Sequence, residues 1–185
     1  MRGDGKAYDY RNCQSLFGYA STVHERSGGI CQLCGCGDGE KIDFDLWRQL
    51  TVEHLIGEKQ LGYKRDIRSA VALRFPQLAT AEQDRLAENI DHANTVTACS
   101  FCNSTTSRVS QERPMDCLIL ETPGSPDELL SSIHAELRLV LDRKRADVAW
   151  KLDAVRLAFQ ERVEQRMLLA RGSQASQVRV VTEQC

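Results

Sequence analysis

Two Cys-x2-Cys pairs, Cys31-Gln-Leu-Cys34 and Cys99-Ser-Phe-Cys102, stand 64 residues apart and constrain this chain more than any other feature. Together they supply four thiolates, which matches all-cysteine tetrahedral coordination of a structural zinc with no open position for a substrate. Cys36 adds an alternative ligand through Cys34-Gly-Cys36, whereas Cys13, Cys117 and Cys185 stand alone. The reading depends on compartment. The first residues, MRGDGKAYDY, lack the apolar stretch of a secretory signal, and no apolar run approaches the roughly 20 residues that span a bilayer. A cytoplasmic protein without a membrane segment is therefore expected, and in a reducing compartment paired cysteines are metal ligands before they are disulfides.

A chain of 185 residues suffices for one domain, or for a compact domain with a helical appendage. Its 42% hydrophobic and 27% charged content excludes wholesale disorder. The net charge of -2 argues against a protein that coats nucleic acid non-specifically, because phosphate binding draws on clustered Lys and Arg. A local basic patch and a metal ion remain compatible with it.

Along the chain, Asn12 to Arg26 reads as a helix with Leu16, Phe17, Ala20 and Val23 on one face, stopped by Gly28-Gly29. Gly35, Gly37 and Gly39 suit the tight turns of a metal knuckle. Ile42 to Leu55 then predicts a β-hairpin or extended pair. Ile56 to Ile90 is polar and largely helical, broken at Pro76, with Thr80-Ala-Glu-Gln83 as a capping-box start. Asn94 to Ala98 is short and β-prone, and a helix is expected near Asn103.

Pro114, Pro123, Gly124 and Pro126 mark a composition shift, so the chain divides into residues 1–113 and a helical region, residues 114–185. Asp127 to Arg171 holds neither Gly nor Pro, and apolar residues from Leu130 to Met167 recur at steps of mostly three, four or seven. This predicts one long amphipathic helix or a helical hairpin, with Gly172 as its natural C-cap.

Between and beside the knuckles, the order is Cys31-x2-Cys34, then Val52-Glu53-His54-Leu55, then Asn94-Thr-Val-Thr-Ala-Cys99, then Cys102-Asn103. In order and spacing, residues 31 to 103 resemble the HNH endonuclease family, in the variant that ends in Asn rather than His. The resemblance implies an α+β fold: a ββα-metal core with a structural zinc on Cys31, Cys34, Cys99 and Cys102, carrying a helical insertion and the long C-terminal helix or hairpin. It also implies that His54 is the general base and that Glu53 and Asn103 hold a catalytic Mg²⁺ or Mn²⁺. Asn94 would brace the loop carrying His54. A regular strand would point Glu53 away from His54, so both can act only if the strand ends in a turn or bulge there.

Chemistry explains the convergence, since phosphodiester hydrolysis needs an activated water, charge neutralisation on the phosphate and a stabilised leaving oxygen. A neutral imidazole with an ordinary pKa of roughly 6.5 can accept the proton, and hard oxygen donors suit Mg²⁺. Taken singly, Glu53, Asn94 and Asn103 are ordinary strand-end, turn and cap residues; only their joint spacing gives them a role. Arg108 and Arg113 are candidate phosphate contacts or simply a solvated helix face. Lys59, Lys64, Arg65, Arg68 and Arg74 give the insertion a basic tilt. His24 and His134 read as surface residues, and Phe44 with Trp47 as hairpin packing.

Two functions follow as expectations. The first is a metal-dependent endonuclease acting on double-stranded DNA in a restriction or phage-defence setting, with a homodimer formed through the C-terminal helix. The second is a non-catalytic, zinc-stabilised nucleic-acid or protein-binding module.

Overall fold

The protein is described by a computed structural model that covers residues 19–106 and 112–172. It belongs to the α+β class, with a two-stranded antiparallel sheet among helices. Helix α1 (Tyr19–Arg26) leads into the first knuckle, and a single helical turn, α2 (Phe44–Trp47), precedes strand β1 (Leu50–His54). A short 3-10 turn (Glu58–Gln60) is followed by α3 (Lys64–Arg74) and α4 (Thr80–Ala93). Strand β2 (Thr95–Cys99) then runs directly into α5 (Ser100–Thr105), with α6 (Met115–Glu121) and the long α7 (Pro126–Arg162) beyond.

The expected hairpin over Ile42–Leu55 does not form. The Asp43 carboxylate accepts from the backbone N–H groups of Asp45 (2.7 Å) and Leu46 (3.2 Å), which caps α2 and winds Phe44–Trp47 helically. Strand β1 finds its partner far along the chain in β2, with register Leu50↔Cys99 through His54↔Thr95. Helices α3 and α4 fill the connection, as the insertion between the knuckles predicts. Thr80 is the first helical residue of α4, not its cap: the Glu82 carboxylate reaches back to the N–H of Ala79 at 3.0 Å, and Ala79 has no side chain to return the bond.

Helix α3 buries Ile67, Ala70 and Val71 at helical spacing, and α4 buries Leu86, Ala87 and Ile90. These pack with Leu55, Ile56, Phe75 and Val96, and with Met115, Leu118 and Ile119 of α6. The first half of α7 lays Leu129, Ile133, Leu137 and Val140 on the same core. Burying an aliphatic side chain of this size contributes about 1.5–3 kcal/mol, so this core carries the fold. The sequence boundary at residue 114 falls inside it. The first compact unit extends to Val148, and the described residues from Ala149 onward form a second. Helix α7 is one unbroken helix to Arg162 and not a hairpin. Within the second unit Trp150, Leu157 and Phe159 are exposed. No helix among the described residues is long and apolar enough to cross a membrane.

The loop after β1 is fixed by Asn94, the C-cap residue of α4, which has no solvent exposure. Its amide oxygen accepts from the Ile56 N–H (2.8 Å), and its amide nitrogen donates to the carbonyls of Ile56 (2.9 Å) and Gly62 (2.8 Å). Its own carbonyl accepts from the Leu55 N–H at 2.8 Å. Gly62 must approach Ile56 so closely that a Cβ there would lie 1.9 Å from the Ile56 carbonyl oxygen. Gly62→Ala should therefore destabilise the protein by about 3 kcal/mol or more, because backbone has to move. Thermal melting followed by circular dichroism measures this, and an unchanged midpoint would remove the contact as a constraint.

Candidate active site and metal cluster

The first knuckle is built onto β2. The Gln32 N–H donates to the Thr97 carbonyl (2.8 Å), the Thr97 N–H donates to the Gln32 side-chain oxygen (3.0 Å), and the Cys99 N–H points at Cys31 Sγ (3.3 Å). Gly35, at φ +77°, closes the turn by donating its N–H to the Cys31 carbonyl. Cys99 ends β2 and Cys102 lies in the first turn of α5. The sulfur atoms of Cys31, Cys34, Cys99 and Cys102 consequently all lie within 4.8 Å of one another, so this group can hold a metal ion such as zinc.

Sulfurs on a tetrahedral zinc are roughly 3.8 Å apart, given bonds of about 2.3 Å. The 4.0 Å separation of Cys34 and Cys99 is already close to that. Burial and the neighbouring Cys34 thiol push the Cys102 thiol up, and burial with the same neighbour does so for Cys36. Cys31 is held below its ordinary value despite its burial by backbone donors at Cys34, Cys99 and Leu33. Thiols that oppose one another's ionisation are what a divalent cation relieves.

Past the cluster, β1 delivers Glu53 and His54 to a cavity of about 430 Å³ that Asn103, Tyr63, Glu112, Lys59 and Lys144 also line. Regular pairing ends at His54, where the chain turns under Asn94; the two neighbours thus reach one cavity without a bulge. The His54 ring lies 4.5 Å from Tyr63, centroid to centroid, and stacks at 6.4 Å on Tyr19. Burial lowers its pKa, with Lys144 adding to this and the carboxylates of Asp91 and Glu53 opposing it. His54 is therefore held neutral at pH 7.

Asn103 is the fourth residue of α5, not its first, because the helix starts at Ser100 with Cys99 as its cap. Its amide nitrogen donates to the Thr51 hydroxyl (3.0 Å), which leaves the amide oxygen available as a donor atom to a cation. Glu112, on the same cavity wall, pairs with Arg143 at 2.8 Å. Its burial is outweighed by that guanidinium, and its carboxyl stays below the usual range. Glu53, Glu112 and Asn103 thus bring oxygen atoms to the wall of one cavity, where each of the two carboxylates is paired with a basic side chain of α7.

Other expected residues fall elsewhere. Arg108 lies outside the described residues. Arg113 pairs with Glu121 and does not line the cavity. In the insertion, Lys64, Arg65 and Arg68 pair with Glu88, Asp66 and Asp84, while Arg74 donates to the carbonyls of Ile119, Leu120 and Gly124 at the end of α6. Of the basic tilt, Lys59 alone lines the cavity. Phe44 and Trp47 stack on each other, with Phe44 exposed. His24 is buried, against expectation, because α1 packs on the sheet and sets its Nδ1 3.1 Å from Thr97 Oγ1.

Sequence reasoning missed Lys144, whose ammonium donates to Glu53 Oε1 at 2.5 Å and to the His54 carbonyl at 3.4 Å. A signal was present. Ile133, Leu137, Val140, Lys144 and Val148 fall at steps of four, three, four and four, so the lysine interrupts the apolar stripe of α7. Asp91 is buried, and burial of Tyr19 together with the Asp91 carboxylate pushes the tyrosine hydroxyl up to about 12.

Compared with protein-family models, with curated proteins and with solved structures, the chain gives no significant match.

Burial lowers the His24 pKa below 6.5. Because the unfolded chain then takes up the proton first, His24 contributes stability that is complete above about pH 6.5 and is lost as pH falls through the folded pKa. An NMR titration of the imidazole should give a midpoint below 6.5; a midpoint at or above that value contradicts the buried neutral ring.

Proposed function

We propose that this chain is a metal-dependent endonuclease of the HNH type that hydrolyses phosphodiester bonds in double-stranded DNA. The observation that supports it best is the shared cavity of Glu53, His54 and Asn103, set on two antiparallel strands and the helix that follows them, beside a four-thiol cluster. Restriction or phage defence is the biological setting this reading favours, by analogy with the family it resembles.

In this proposal zinc on Cys31, Cys34, Cys99 and Cys102 is structural and does no chemistry. Glu53 and Asn103 would hold Mg²⁺ or Mn²⁺, which would supply charge neutralisation at the scissile phosphate and the leaving oxygen. His54 Nδ1 or Nε2, neutral because the ring is buried, takes the proton from the attacking water. Tyr63 and Tyr19 fix the plane of that imidazole, and Asn94 fixes the loop behind it. Lys59 offers positive charge at the rim for the backbone of the substrate. The products carry 5′-phosphate and 3′-hydroxyl ends. Two copies joined through the exposed apolar part of α7 would present one site to each strand.

The competing reading is a non-catalytic, zinc-stabilised nucleic-acid or protein-binding module. The Glu53–Lys144 ion pair favours it, because a carboxylate already balanced by an ammonium does not require a metal.

Incubating the purified protein with plasmid, duplex DNA, single-stranded DNA and RNA, with Mg²⁺, Mn²⁺ or chelator, separates the two. The expected outcome is metal-dependent cleavage of duplex DNA, lost by about a hundredfold or more in His54→Ala while zinc content and fold persist. Light scattering on the same preparation should give twice the chain mass. Unchanged cleavage by His54→Ala would sink the base assignment, and a parent protein that cuts none of the substrates would favour the binding module.

A further inference from the structure

We propose that Lys144 couples cation binding at Glu53 to the arrival of a phosphodiester, so that metal and nucleic-acid backbone occupy the site together rather than one after the other. The inference rests on the nuclease reading and deepens it. The Lys144 ammonium lies 2.5 Å from Glu53 Oε1, and the two side chains are only 12% and 13% exposed. On the cavity wall the second shielded carboxylate, Glu112, is matched in the same way by Arg143. Both carboxylates are therefore charge-balanced by adjacent residues of one helix before any ligand enters.

The ammonium is not free to leave. Lys144 sits on the buried stripe of α7 between Val140 and Val148, which are 1% and 0% exposed, so its aliphatic stem is held along that face. A divalent cation on the remaining oxygen of Glu53 would stand close to this fixed positive charge. Charges in a half-buried site interact several-fold more strongly than in water, and the repulsion weakens the cation's hold. An anion between the two removes the conflict. A non-bridging phosphodiester oxygen can bind the cation while another accepts from Lys144, a point-charge donor suited to phosphate. Each ligand then strengthens the other by the same factor.

The consequence is a site that holds little metal until a nucleic-acid backbone is present. The test uses the zinc-loaded protein carrying His54→Ala, which binds without cutting. It is titrated with Mn²⁺, with and without a short DNA duplex, and free Mn²⁺ is read by electron paramagnetic resonance. Duplex should raise Mn²⁺ affinity by about tenfold or more. Adding Lys144→Met should raise affinity without DNA by about tenfold and shrink the gain from DNA by a similar factor, leaving only what the direct bond between cation and phosphate supplies, while Lys144→Arg should behave as the parent does. Lys144→Gln should repeat the methionine result and serves if that variant does not fold. Glu53→Gln identifies the site by abolishing Mn²⁺ binding. Equal Mn²⁺ affinity with Lys144 or with a neutral residue, still abolished by Glu53→Gln, would overturn the coupling and leave the nuclease reading standing. No Mn²⁺ bound by any form, with or without duplex, would overturn both.

Discussion

Four sulfur atoms from two stretches of chain 64 residues apart meet within 4.8 Å, and a length of buried backbone is committed to holding them there. The knuckle at Cys31 to Cys34 docks on β2 through paired bonds between Gln32 and Thr97, and the same strand carries Cys99 into α5. Strand β2 is buried along its whole length, so it has nowhere else to go. Its antiparallel register with β1 then fixes where Glu53 and His54 emerge. The four-thiol cluster and the cavity are thus at the two ends of one strand pair.

The far end of that pair is held by a different device. Asn94 has no exposure and uses its amide as a second backbone, bonding both polar groups of Ile56 and the carbonyl of Gly62. Each such bond contributes about 1 kcal/mol, but leaving the buried partners unpaired costs about 1–3 kcal/mol apiece, which is why this turn holds its shape. His54 sits at the start of it, between two tyrosine rings, in an environment that favours the neutral imidazole. Lys144 from α7 completes the wall and balances Glu53.

The meeting of the four thiols, the common cavity of Glu53, His54 and Asn103, and the bracing of the next loop by Asn94 could be anticipated from the order and spacing of these residues taken together, while their chemical roles belong to the proposal. So could the helical insertion, whose apolar residues keep a helical period and whose break is a proline. The local shape of Ile42–Leu55 could not, because Asp43 could be recognised as a cap only once the backbone turned beneath it. Nor could the partner of β1, which lies beyond two helices. His24 looked like a surface residue because the sequence does not reveal which face of α1 the sheet covers. Lys144 was hidden by the habit of reading a charge on a long helix as solvated, although its place on the apolar stripe argued otherwise. Nor did the sequence show that Arg113 and, Lys59 apart, the insertion's basic residues are paired with nearby acids and carbonyls.

The central claim is that Glu53, His54 and Asn103 form one reaction centre on a nucleic-acid backbone. Anomalous diffraction at the manganese edge, from crystals of His54→Ala with a DNA duplex, tests it most directly. The account predicts a single Mn²⁺ touching Glu53 and Asn103, bonded to a phosphodiester oxygen, with that phosphorus facing the position vacated by the imidazole. A duplex bound on another face, or manganese found away from Glu53, would contradict it.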